Sequence, residues 1–95
     1  MKIIALEKEL PKSTVLEFKK YARAEARALW KLYMEGFVRE FYFIKEKKLA
    51  VLILETKNKE EAKKVLNKLP FVSKKLIEFE LITLKPYLGF QRLFK

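Results

Sequence analysis

Residues 37–55 read FVREFYFIKEKKLAVLILE, and the fold follows from how this stretch divides. Its first half is dense in aromatic and β-branched side chains, with Arg39 and Glu40 embedded, which suits a strand from Phe37 to Lys45. The charged residues Glu46 to Lys48 make a turn. The second half, LAVLILE, is an unbroken apolar run typical of a central strand covered on both sides. The two halves therefore predict a β-hairpin.

Upstream, Thr14 followed by Glu17 has the capping-box spacing, and Val15, Phe18, Ala22, Ala26, Leu29 and Tyr33 recur at three- and four-residue steps. A long helix is expected there, stopped near Glu35 by Gly36. Before it, Lys2 to Lys8 begins apolar on both parities and reads as a buried strand that ends before Pro11. Downstream, Asn58 with Glu61 opens a second helix carrying Ala62, Val65, Leu66 and Leu69, which ends before Pro70. Leu76 to Leu84 forms the last strand.

The order is thus βαββαβ, an α+β ferredoxin-like unit with a four-stranded antiparallel sheet and two helices on one face. Residues 1–95 constitute one domain, with 85–95 as an aromatic tail. The other face of the sheet would be an apolar patch needing a cover. A second copy is the simplest cover, so a homodimer is expected, a dimeric α+β barrel in which the tail packs on the partner subunit.

Composition narrows the chemistry. Apolar residues make up 51% of the 95, enough for a packed core, yet a domain of this size gains from oligomerisation. The sequence contains no Cys and no His, which excludes thiol nucleophiles, imidazole bases and the usual zinc and haem ligation. No cofactor or metal is expected. The start of the chain is too interrupted by charge for a signal peptide, and no run of about 18 apolar residues exists, so a cytoplasmic protein without membrane contact is expected. The net charge of +10, mostly Lys, raises the question of an anionic partner. It equally suits solubility or a heat-tolerant ion-pair surface, so nucleic acid is not the favoured partner.

The sequence up to about Leu84 resembles the muconolactone-isomerase-like family of dimeric α+β barrel proteins. The likeness is carried by Leu10-Pro11, Ala24-Glu25, Glu35-Gly36 with Arg39, and Leu69-Pro70-Phe71. It implies a ferredoxin-like subunit, association through the sheets and a pocket between sheet and helices for small organic acids, lactones or aromatic compounds. It also implies roles for Glu25 and Arg39. The family's isomerases carry His after the matching Arg, where this chain has Glu40, which argues against muconolactone isomerisation itself. Small cofactor-free monooxygenases share the same fold, and fold alone does not decide between chemistries.

Glu25 is the leading candidate because helical spacing sets it beside Phe18, Ala22, Leu29 and Leu32. A carboxylate in apolar surroundings has a raised pKa and can serve as a general base. A structural ion pair with Arg39 or another cation explains it equally well. Arg39 is suited to clamping a carboxylate, or to neutralising Glu25, Glu55 or Glu80. Tyr42, as a phenol donor, completes the catalytic set. Trp30 and Tyr33 are candidate aromatic walls of a ligand site, though such residues are commonly core. Glu55 and Glu80 are candidate ligand contacts, with solvated strand edges or Lys pairs as the plainer account. The competing functions are an isomerase-like or oxygenase-like enzyme, a ligand-binding module without turnover, and an RNA-binding βαββαβ module. RNA-recognition modules stack bases on aromatics of the central strands, and KLAVLILE has none.

Overall fold

A computed structural model describes residues 1–94. The elements are β1 (Lys2–Glu9), α1 (Val15–Met34), β2 (Val38–Phe43), β3 (Ala50–Glu55), α2 (Lys59–Leu66), a short α3 (Pro70–Ser73) and β4 (Ile77–Thr83), then a 3₁₀ turn at Gly89–Leu93. The four strands form one sheet in the order β2-β3-β1-β4, and every neighbouring pair is antiparallel. This is the ferredoxin-like arrangement. None of the described helices is long and apolar enough to cross a membrane.

The helix ends follow the local sequence. Thr14 Oγ1 accepts the Glu17 N–H at 3.1 Å, and Asn58 Oδ1 accepts the Glu61 N–H at 2.8 Å. Each satisfies one of the amides a helix start leaves free. At the far end of α1, Phe37 N–H donates to Leu32 O and Gly36 N–H to Tyr33 O. This Schellman closure needs a left-handed residue, and Gly36 adopts φ +86°. Lys75 closes α3 in the same way with φ 61°, bearing a strain that glycine would not. The α3 turn, which the sequence reading passed over, fits Pro70 at the first helical position.

The core lies between the helices and one sheet face. Ile3 and Ala5 of β1, Leu52 and Leu54 of β3, and Ile77 of β4 are buried with Leu32 of α1 and with Ala62, Val65 and Leu66 of α2. Both longer helices therefore cover the same face. The expected α1 stripe is displaced, because its buried residues are Glu25 and Leu32, seven apart, while Val15 is 74% exposed. Val15 sits in the first turn, before the helix reaches the sheet.

On the opposite face, Glu40, Ile53, Ile4 and Ile82 form one cross-strand row, and Tyr42, Val51, Leu6 and Glu80 form the next. Its centre is apolar, and of the four row ends Glu40, Tyr42 and Glu80 are polar while Ile82 is not. Strand β2 carries a bulge, since Val38 pairs with Leu54 and Glu40 already pairs with Ile53, leaving Arg39 as the extra residue. From that point the alternation is reversed. Phe41 and Phe43 fall on the helix side, with Glu40 and Tyr42 on the bare side.

Beyond Leu84, whose N–H donates to Lys2 O, the backbone hydrogen bonds among the described residues run within 88–94. Tyr87 and Phe90 pack edge to face at 5.0 Å, and Leu93 and Phe94 are exposed. The radius of gyration is 15.4 Å. A compact chain of this length would have about 12 Å. The difference reflects an elongated shape, 58 × 29 × 19 Å along the principal axes.

Leu54→Ala is expected to destabilise the fold by about 2–5 kcal/mol. Val15→Ala, at an exposed site, should change stability by less than about 0.5 kcal/mol. Urea denaturation of the two variants checks this placement of the core.

Candidate functional site

Between α1 and the helix-side face of the sheet lies a cavity of about 210 Å³. Its walls are apolar, with Ala22, Ala26 and Leu29 from α1 facing Leu52, Ile77 and Phe79 from the sheet. Phe71 closes one side and Phe43 stands at the edge. Two carboxylates interrupt this lining: Glu25 from α1 and Glu7 from β1. The lining contains no Lys or Arg. An adjoining cleft of about 460 Å³ shares Leu29, Phe43, Ala50 and Leu52, and extends the space along β2 past Phe41.

Glu25 is only 6% exposed. Its Oε1 accepts the Phe71 N–H at 2.9 Å, so the carboxylate of α1 caps the start of α3, where Leu69 offers no side chain for the purpose. The Phe18 and Phe71 rings meet edge to face at 5.1 Å and fix the same junction. Glu7 lies one turn of the pleat beyond Ala5, and its Oε1 accepts the Ala50 N–H at 3.0 Å. The second oxygen of each carboxylate has no hydrogen-bond partner among the described residues and is not sealed off.

Desolvation is the main influence on both groups and pushes both pKa values up; the backbone amide on each opposes it, and nearby negative charge adds to it. For Glu25 that charge is Glu7. For Glu7 it is Glu9. A desolvated carboxyl with a second acid beside it in an apolar cavity is suited to holding and passing a proton.

The structure does not gather Glu25, Arg39 and Tyr42 at one point. Arg39 donates from Nε to Gly36 O at 2.8 Å, at the end of α1. The ten residue steps from Glu25 to the cap at Glu35 place that end roughly 15 Å along the axis. The ion pair between Glu25 and Arg39 considered from the sequence is thus replaced by the amide of Phe71. Arg39 acts instead on Glu55, whose pKa is lowered first by its hydrogen bond to the terminal amine of Met1, with Arg39 and Lys2 assisting. Glu55 borders a separate groove at the root of the tail, with Lys2, Leu84 and Pro86.

Tyr42 borders the adjoining cleft, but its side chain belongs to the bare face, where its hydroxyl donates to Glu40, and this contact raises its pKa. Glu80 is on that face too, 3.4 Å from Lys8. Trp30 and Tyr33 lie on the outer side of α1, at the margin of the cleft, with ring centroids 5.7 Å apart. Glu7 is the site residue that sequence reasoning missed. Its signal was present, because it shares the parity of Ile3 and Ala5 and therefore continues their buried row.

The raised pKa values set the sign of a pH effect. A carboxyl whose folded pKa lies above its unfolded value of about 4.3 stabilises the fold as it takes up its proton. That contribution is present at low pH and is lost as pH rises through the folded pKa. The Glu7→Gln/Glu25→Gln variant should therefore gain most in Tm over the wild type at pH 7 to 8, and the gain should shrink as pH falls toward the unfolded value of about 4.3. Thermal unfolding across this range is the measurement.

No protein-family model matches the sequence, and no curated protein matches it. Among solved structures, the chain is similar to the 5-chloro-2-hydroxyhydroquinone dehydrochlorinase of Burkholderia phenoliruptrix in complex with 2,5-dihydroxybenzoquinone. The TM-score is 0.72 at 16% identity, over 94% of this chain and 98% of that one. The two proteins share a fold, the α+β ferredoxin-like unit.

Proposed function

We propose that this protein binds a small hydroxylated aromatic compound in the cavity between α1 and the sheet, and that Glu25, assisted by Glu7, exchanges a proton with its hydroxyl group. The observation that carries the reading is the pairing of two desolvated carboxylates, each with a free oxygen, inside otherwise apolar walls. A cavity of about 150 Å³ accommodates benzene, so the 210 Å³ space has room for one substituted ring. The lack of a cation in the lining favours a neutral ligand over the organic acids that the sequence resemblance implied, because an anion there would face two carboxylates. The fold neighbour's complex with a dihydroxybenzoquinone supports a ligand of this kind. Proton exchange suits an isomerase-like or oxygenase-like reaction, and a binding module without turnover uses the same contacts.

The expected ligands are neutral diphenols such as catechol and hydroquinone, followed by NMR or thermal shift at pH 7. A hydrogen bond to a charged acceptor contributes about 1.5–3 kcal/mol, so Glu25→Gln should weaken binding by roughly tenfold or more. Binding of benzoate in preference to catechol, or affinity unmoved by substitution at both Glu25 and Glu7, would overturn the reading. Turnover of a bound compound by the wild type, abolished in Glu25→Gln, separates an enzyme from a binder.

The bare sheet face supports self-association as the companion proposal. Ile4, Leu6, Val51 and Ile53 form an apolar centre bordered by Lys8, Glu40, Glu78 and Glu80, the pattern of an interface core with a polar rim. The exposed tail leaves the sheet beside Lys2 and gives a second copy further apolar surface to cover. Sedimentation velocity at micromolar concentration should show a dimer, and Ile53→Lys a monomer with unchanged circular dichroism. A monomeric wild type would remove the proposal.

A further inference from the structure

The long helix has a second face that neither the cavity nor the bare sheet uses. Lys19, Lys20, Arg23, Arg27 and Lys31 are all exposed. At 100° per residue they fall within a sector of about 120°, and no acidic residue of α1 shares it. They span about 18 Å of helix at 1.5 Å per residue, in steps of roughly one turn. A surface built for ion-pair stability would interleave acids, as heat-tolerant surfaces do. Here none of the five forms an ion pair; those among the described residues are Met1 with Glu55 and Lys8 with Glu80. Lys74, at the end of α3, extends the positive surface, since it and Lys20 both lie over the Tyr21 ring, at 5.6 and 5.4 Å.

A row of exposed rings starts within this stripe, at Trp30, and runs out along its side. Trp30 is 62% exposed and meets Tyr33 at 5.7 Å, and Tyr33 meets Phe41 on the edge strand at 5.5 Å. A cationic track flanked by aromatic faces is the arrangement by which proteins hold single strands without base preference, the cations following the phosphates and the rings stacking on the bases.

We propose that the outer face of α1, with the Trp30–Tyr33–Phe41 row, binds single-stranded nucleic acid along its phosphate backbone. This differs from the central-strand stacking that the apolar β3 argued against, because it uses the opposite side of the helical layer. An anionic membrane fits less well. A helix lying on a bilayer inserts its apolar side, and that side of α1 is committed to the sheet through Leu32. Apart from the rings of Trp30 and Tyr33, the aliphatic residues at the centre of its outer face, Leu16 and Met34, stand at opposite ends, about 27 Å apart, and form no continuous apolar strip.

The test is fluorescence anisotropy of a labelled oligouridylate, with the quenching of Trp30, the single tryptophan, followed in parallel. With four or five phosphates neutralised, a rise from about 50 to 200 mM salt should weaken binding about 50- to 130-fold. Arg23→Glu/Arg27→Glu should lose at least tenfold in affinity, and Trp30→Ala about fivefold or more. Lys59→Glu/Lys64→Glu on α2 makes the same change in net charge and should leave binding within about twofold. Circular dichroism establishes that each variant is folded. Equal losses in the two charge-reversal variants, unquenched Trp30 at saturation, or binding to phosphatidylserine vesicles without binding to the oligouridylate would each overturn the proposal.

Discussion

The hydrogen bond from the Phe71 amide to Glu25 is the constraint on which the arrangement around the cavity depends. A carboxylate buried among alanine, leucine and phenylalanine side chains is costly unless something offsets the loss of water. Here a helix amide that would otherwise lack an acceptor does so, and α1 and α3 are held at one spacing by a group that serves both. The cavity exists because these helices are joined at that point, while the small residues Ala22 and Ala26 leave space above the sheet. Structure and chemistry are therefore not alternatives for Glu25. One oxygen is committed to the architecture, and the other remains available to a ligand.

Much of the fold was legible because local signals agreed with one another. The Thr14 and Asn58 caps, Gly36, the apolar run of β3 and the proline after α2 each mark an element boundary, and together they permit one order of strands and helices. The α1 stripe was less legible. Periodicity identifies a helix face but does not fix its rotation by itself, and alanines at 22 and 26 match a core and a cavity wall equally well. Only the position of the sheet distinguishes Leu32, which is enclosed, from Val15, which is not.

The site was legible in part. Glu25 stood out because a charge among apolar neighbours needs an explanation. Its partner Glu7 did not, since at the polar end of a strand a glutamate looks like the start of the surface. Arg39 was matched to Glu25 by complementary charge, a criterion blind to distance, and the geometry gives it the Gly36 carbonyl and Glu55 instead. Tyr42, Glu55 and Glu80 drew notice as chemically capable groups, but which side of the sheet each occupies depends on long-range register, which composition does not carry.

The bulge in β2 shows how far that register reaches. One additional residue at position 39 decides which side chains downstream look inward. Were Arg39 paired in the ladder rather than bulged out, strict alternation would present Glu40 and Tyr42 to the helices and turn Phe41 and Phe43 outward, making a wet, acidic wall from the same amino acids. The character of the cleft is thus encoded by counting as much as by chemistry, in the manner of a reading frame, and the bulge is the place where the ladder absorbs an odd residue so that the frame beyond it is kept.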